Sequence, residues 1–272
     1  MDIEELIERG ESQDLEFKES PRLKDEIGET VSAFSNSDGG TVVVGVSNSS
    51  SELRKLAKES GEKVYWDERV CEDASLEDIE EDKVRWFLKE ARNKRGLDIN
   101  ENSPVEEALL RLKLLKAGKP ANGAVLLFAK DPQRRFIQSE VKCIRFKGVG
   151  VTGEMIDLRT VDGDVFDQLI EAEKFIFNNI ALSAWIEEGK IQRQERWEYP
   201  PKAIREALAN AICHRDYETT SKVQVRIFDD RMEFWNPGVL PDGWTVETLK
   251  RMHESIPRNP SIAKQFFWVK YI

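Results

Sequence analysis

The chain has 272 residues, 40% of them hydrophobic, and a formal net charge of −10, a length that allows two domains and a composition that excludes a disordered polypeptide. No apolar run reaches the roughly eighteen residues of a membrane-spanning helix, and the opening Met1-Asp2-Ile3-Glu4-Glu5 lacks the basic and apolar regions of a signal peptide, so a cytoplasmic protein without a membrane partner is expected. Cys71, Cys143 and Cys213 are far apart and His214 and His253 are the only histidines, which argues against a disulfide framework, a zinc site or a His-rich metal site.

Charge is unevenly placed. Residues 1–91 carry 12 basic and 25 acidic side chains, whereas residues 92–147 carry 13 basic and 6 acidic ones. A local basic surface matters more for phosphate binding than the chain total. The same stretch could equally be a solvated face rich in Lys and Arg.

In chain order, Leu15 and Phe17 alternate with Glu16 and Lys18, the pattern of a short strand with one charged face. Ile27, Val31 and Phe34 follow at helical spacing, until Asn36-Ser37-Asp38-Gly39-Gly40 breaks the helix. Thr41 to Val46 is a β-branched run that predicts a buried strand. The series GESQDLEFKES, a helix, then SNSDGGTVVVGV resembles the Schlafen AlbA-type domain. That resemblance implies nucleic-acid binding, with DNA favoured over RNA. Schlafen members also cleave structured RNA with a metal held by three carboxylates. Glu11 and Glu16 match the first two as catalytic and metal-ligating candidates, while the third position falls at Ser47-Asn48, with Glu52 the nearest acid. Two acids and an amide hold a hard cation less well than three acids. Glu11 and Glu16 could instead pair with Lys18 or Arg22. Residues 47–75, with the run Ser49-Ser50-Ser51, read as a loop.

Ser75-Leu76-Glu77-Asp78 resembles a capping box, and the helix it opens runs through Ile79, Trp86 and Phe87 to Ala91. A second helix is expected from about Pro104. Ala124 to Phe128 reads as an apolar strand. Two helices, a basic turn and a strand could also form a winged helix. In either case Lys18, Arg92, Lys94, Arg95, Lys119, Arg134 and Arg135 are the candidates for nucleic-acid contact. Gly148-Val149-Gly150-Val151-Thr152-Gly153 matches GxGxxG but lacks a following helix, because Met155 to Val161 looks extended, so it reads as a glycine turn and not a dinucleotide site. Asp164 caps a long helix with Phe166, Leu169, Ile170, Phe177 and Ile180 as its core stripe. Trp185 to Trp197 is charged and expected to be exposed.

A further helix should begin at about Pro201, since proline suits the first helical position. Ile204, Ala207, Leu208, Ala211 and Ile212 form its apolar stripe, and Glu206, Asn210 and His214 stack one turn apart on another ridge. Val223 to Ile227 alternate as a strand, Asp229 to Arg231 turn, and Met232 to Trp235 return. The series EALANAICHRDY, VQVRIFDDRMEFWNPGVLP and RNPSIA resembles the GHKL ATPase-like module of proteins labelled RecG-like helicases or transcriptional regulators. In that superfamily the helix Glu is the general base and the Asn a magnesium ligand, roles that fall on Glu206 and Asn210. His214, Asn236 and Gly238 become nucleotide-binding candidates. Active members carry Asp-x-Gly-x-Gly where this chain reads Asn236-Pro237-Gly238. An Asn still accepts a hydrogen bond through its carbonyl oxygen, yet the missing carboxylate makes hydrolysis a weaker expectation than binding.

The expected architecture is therefore α+β: an AlbA-like domain over residues 1–150, a helical linker over 151–199, and a GHKL ATPase-like sandwich over 200–272, expected to be either incomplete or covered at its apolar end by a partner chain. The expected function is a DNA-binding transcriptional regulator that senses Mg-ATP and forms a homo-oligomer. The alternative is a metal-dependent endoribonuclease built on Glu11 and Glu16. Enzymatic activity, as a weak ATPase or a nuclease, is left open.

Overall fold

The computed structural model describes residues 64–186, 193–240, 243–251 and 256–272, together with the backbone of two short strands, β1 (Leu15–Lys18) and β2 (Thr41–Val44). The chain divides into two compact units, Met1–Val64 and Tyr65–Ile272. In the first, β1 and β2 pair in parallel with Leu15 beside Thr41 and Lys18 beside Val44. Both strands were expected from their residue patterns. Glu11 and the side chains of Glu16 and Lys18 lie outside the described residues.

The second unit is built on a four-stranded mixed sheet. β5 (Val141–Phe146) and β6 (Met155–Val161) form a hairpin, as do β9 (Val223–Ile227) and β10 (Met232–Trp235), and β5 joins β9 in parallel to give the order β10-β9-β5-β6. Alternation decides which face is buried: Val141, Cys143, Val223, Val225 and Ile227 all point into the core. Over that face lie α4 (Val165–Asn179) and α5 (Pro201–Cys213). The GxGxxG glycines form the turn between β5 and β6, as the extended segment after them implied.

The remaining helices complete one continuous core: α1 (Glu81–Arg95), α2 (Val105–Arg111), α3 (Asn122–Phe128), the short α6 (Val246–Leu249) and α7 (Pro260–Trp268), with a small ribbon of β3 (Leu115–Lys116) and β4 (Lys119–Pro120). Phe166 of α4 is where these elements meet. Its ring lies 5.9 Å from Phe87, 6.1 Å from Phe128 and 5.4 Å from Phe266, bringing α1, α3, α4 and α7 together. Asp164 caps α4 by accepting from the N–H groups of Phe166 (2.8 Å) and Asp167 (2.9 Å). Lys83 of α1 pairs with the same carboxylate at 2.6 Å. β5, β6 and α4 are thus integral to the unit that contains residues 200–272, and no break in packing falls at residue 150 or 199.

Several local expectations differ. The Ser75–Asp78 capping box opens a short 3-10 turn, Leu76–Asp78, and α1 begins only at Glu81. Of the stripe expected on α4, Ile170 and Phe177 are half-buried and Ile180 lies past the helix end, while Ala172, Phe175 and Ile176 are buried. Ala124 to Phe128 belongs to a helix, not a strand, and Asn122–Phe128 is buried on every side. A short run that is apolar all round carries neither period, so burial on all faces suits a core helix as well as a strand. Gly123 confirms the tightness of that site: a Cβ there would stand 2.9 Å from the Asp67 carbonyl oxygen. The charged segment before α5 is a hairpin of β7 (Leu182–Ile186) and β8 (Arg193–Trp197), exposed as expected but extended. Cys71, Cys143 and Cys213 are free thiols, all buried. Burial pushes the Cys143 thiol up to about 12 and Cys213 higher still.

Asp67, in a short turn at Trp66–Glu68, is completely buried. Its Oδ2 accepts the N–H of Ile262 at 3.0 Å, in the first turn of α7, while Oδ1 has no hydrogen-bond partner among the described residues. Desolvation outweighs these backbone bonds and raises its pKa from 3.8 to about 7. A carboxyl held protonated in the fold contributes most below its unfolded pKa, and that contribution is lost as pH rises through the folded value. Asp67→Asn keeps an acceptor for Ile262 and removes the charge. Thermal denaturation should therefore show Asp67→Asn gaining stability relative to the parent as pH goes from about 4 to about 8, with the difference smallest at the acid end.

Candidate functional site

The site is organised by the C-terminal half of α5. Ile204, Leu208, Ala211 and Ile212 are buried against the sheet, which turns Glu206 and Asn210 outward on the neighbouring ridge. Ala207, predicted for the core stripe, is half-buried and lines the pocket instead. His214 follows as the residue that ends the helix, its N–H donating to the Asn210 carbonyl at 2.9 Å.

These residues line one open pocket of about 660 Å3 with Phe234, Asn236, Gly238, Val239, Leu240, Trp244, Leu249 and Ile256. All five residues singled out for nucleotide contact, Glu206, Asn210, His214, Asn236 and Gly238, are thus brought together. The polar groups lie along α5 and the loop after β10, and the apolar side chains supply the rest of the wall. The pocket's volume falls within the range of small-molecule sites. Burial, then the nearby Arg258 guanidinium, holds His214 below the usual imidazole range. At neutral pH its ring is therefore an uncharged donor and acceptor.

The loop is held by residues that sequence reasoning did not assign to the site. Arg258 pairs with Asp216 at 3.2 Å and donates to the Val239 carbonyl at 3.0 Å, and the Asp216 N–H donates to the Pro237 carbonyl at 2.8 Å. Asn259 is 1% exposed, and its side-chain amide donates to the carbonyls of Cys213 (2.9 Å) and Arg215 (2.8 Å). The segment Arg258-Asn259-Pro260 therefore ties the end of α5 to the start of α7. Its signal in the sequence was the polar pair before a proline, a helix-start pattern, but not the long-range partners.

Among the described residues no group of three or more His, Cys, Asp and Glu side chains could enclose a metal. Glu206 and Asn210 offer one carboxylate and one amide on adjacent turns. That donor set suits Mg2+ held chiefly by nucleotide phosphates, since Mg2+ takes few protein ligands. The Glu and Asn would hold or orient it, and the ion would neutralise phosphate charge.

Most of the predicted nucleic-acid cations are engaged within the fold. Lys94 pairs with Glu90 at 2.9 Å and also donates to the Val269 carbonyl. Arg95 donates to the Ile272 carbonyl and lies 3.6 Å over the Phe267 ring. Lys119 pairs with Glu72 at 2.6 Å, and Arg135 with Asp78 at 2.8 Å and the Asp73 carbonyl. The exposed side chains of Arg92 and Arg134 have no partner among the described residues.

The fold is α+β, and its C-terminal part carries a pocket walled by a helix on a mixed sheet. Residues 11–126 match the family model described as "Schlafen, AlbA_2", and residues 220–272 match "Putative ATP-dependent DNA helicase recG C-terminal". Both stand in the order expected from the sequence, and together they support a nucleic-acid-related function. The second match also points to nucleotide and Mg2+ binding in general terms. A comparison with curated proteins gives no match. Among solved structures, the DIP2311 protein from Corynebacterium diphtheriae has a similar fold, with a TM-score of 0.57 and 19% identity, covering 81% of this chain. The chain spans 41% of that protein's length. No helix among the described residues is long and apolar enough to cross a membrane.

Gly238 gives a direct test of the pocket's loop. Its φ is +143°, and a Cβ would approach the His214 carbonyl oxygen to 3.3 Å. Gly238→Ala should lower stability by about 1–3 kcal/mol, measured by urea denaturation.

Proposed function

We propose that the chain is a nucleic-acid-binding regulator, DNA favoured over RNA, whose C-terminal pocket senses Mg-ATP. The observation that carries this reading is the convergence of Glu206, Asn210, His214, Asn236 and Gly238 on one pocket. In this reading the Asn210 amide oxygen and the Glu206 carboxylate face the ion and phosphates. Neutral His214 adds a hydrogen bond without adding charge. Asn236 meets the base edge, with Phe234, Leu240 and Ile256 against its faces. Active members of the superfamily carry an Asp where this chain has Asn236, so sensing is preferred to a motor role. Residues 1–150 supply the nucleic-acid contacts, with Arg92 and Arg134 the most available of the candidate cations among the described residues. The protein acts in the cytoplasm as a homo-oligomer.

The alternative is a metal-dependent endoribonuclease using Glu11 and Glu16. It is favoured by the spacing Glu-x-x-x-x-Glu-Phe-Lys alone.

Calorimetry with Mg-ATP is the test of the pocket. Binding should be seen with the parent and should weaken by at least about tenfold, roughly 1.4 kcal/mol, in Asn210→Ala. Glu206→Gln should retain binding and lose any residual hydrolysis. Absence of heat with the parent at high protein concentration would overturn the reading. Incubation with labelled duplex DNA and structured RNA, with and without Mg2+ or Mn2+, separates the two functions: retarded intact duplex supports the regulator, and metal-dependent RNA cleavage abolished by Glu16→Ala supports the nuclease. Arg92→Ala with Arg134→Ala should reduce the slope of log affinity against log salt by about two.

A further inference from the structure

The sheet ends at β6, an edge guarded by a bulge at its start and by one acidic and one basic side chain. Among the described residues β6 has β5 on one side and no strand on the other. Met155, Ile156 and Leu158 are each more than half exposed, as are Val149 and Val151 in the turn before them. Natural edge strands are commonly blunted by lysine, proline or a bulge. Met155–Val161 contains neither Lys nor Pro. It does contain an irregularity at its start, where Arg145 pairs with Asp157 and Phe146 with Met155, leaving Ile156 as the extra residue. From Asp157 to Thr160 the strand is regular, and its side chains are exposed.

We propose that this edge pairs with the same edge of a second copy of the chain, antiparallel and centred on Leu158. Charge selects both the occupant and the register. Antiparallel pairing about Leu158 places Asp157 opposite the partner's Arg159 and Arg159 opposite the partner's Asp157, giving two opposite-charge pairs per dimer on one face of the sheet and the two Leu158 side chains opposite each other on the other face. Centring on Arg159 or on Asp157 would set like charges directly opposite, which destabilises a sheet. The strand is therefore complementary to itself in the register that also joins its exposed apolar residues. Such an arrangement is isologous, the commonest form of closed assembly.

The neighbouring groups accommodate it. Asp157 and Arg159 lie on the face covered by α4, where Asn179 donates to Asp157 at 3.0 Å and Arg159 pairs with Glu171 at 2.8 Å. Each charge is thus held in place by the helix while remaining accessible to a partner. Because α4 packs over both β5 and β6, the two copies of α4 would sit side by side, at about the 8–10 Å separation of packed helices. The result is one continuous eight-stranded sheet with its helices on one face. This assembly does not depend on nucleotide binding.

The test is sedimentation of the full chain over a wide concentration range. The parent should dimerise. Asp157→Arg alone sets Arg against Arg, and Arg159→Asp alone sets Asp against Asp, so each should weaken self-association by at least about tenfold, since like-charge contacts across an interface cost several kcal/mol. Mixing the two variants should restore a dimer, and so should the double variant Asp157→Arg with Arg159→Asp. Both positions are exposed, and a native-like circular dichroism spectrum with a cooperative melting transition will show that the variants are folded. A monomeric parent at every concentration, a dimer indifferent to both single changes, or a mixture that stays monomeric would each overturn the proposal.

Discussion

The last turn of α5 leaves backbone carbonyls without helical partners, and the way these are satisfied sets the position of much else. Helix ends demand such partners wherever they are buried. Here the Asn259 side chain donates to Cys213 and Arg215, and the Asn259 N–H also donates to Cys213 at 3.1 Å. One residue therefore fixes the end of α5 and the beginning of α7 at once. Asp67 then meets the first turn of α7 from a segment 195 residues earlier. Three chain segments far apart in sequence converge on one junction, and the wall of the pocket hangs from it.

That junction explains how the pocket's polar residues are brought together from α5 and from the loop after β10. Arg258 sits beside Asn259, so the same backbone that closes α5 also delivers a guanidinium to Asp216 and to the Val239 carbonyl. The loop carrying Asn236 and Gly238 is thereby set against the helix carrying Glu206 and Asn210. The chemistry of the site is local to α5, but its geometry is borrowed from α7.

Much of this was legible in the sequence where the controlling forces are short-range. Pro201 begins α5, Asp164 caps α4, and VQVRI alternates into β9, because caps and periodicity act within a few residues. The convergence of Glu206, Asn210 and His214 followed from helical spacing. What the sequence concealed depends on distant partners. Ala124 to Phe128 is apolar in every direction, and only the elements surrounding it decide that it is a helix. Asp67 reads as one more acid in an acidic stretch until α7 is folded over it. Lys94, Arg95, Lys119 and Arg135 count as basic surface in composition, yet each is engaged with a carboxylate, a carbonyl or a ring. Arg215 is 1% exposed despite its charge, held by the carbonyls of Gln138 and Ser221 and lying 4.9 Å from the Tyr217 ring.

The three buried thiols give the fold an internal clock. A thiol whose pKa is pushed far above neutrality is almost entirely protonated and hence a poor nucleophile toward alkylating reagents. Cys143 lies in a central strand, Cys213 at the end of α5, and Cys71 near the junction of the first described turn with β4, its N–H donating to the Pro120 carbonyl at 2.9 Å. Each reacts only when its own surroundings open. The order in which the thiols become modified therefore records the order in which the parts of this unit come undone, and Cys213, whose carbonyl carries the Asn259 bonds, reports the moment at which the pocket loses its frame.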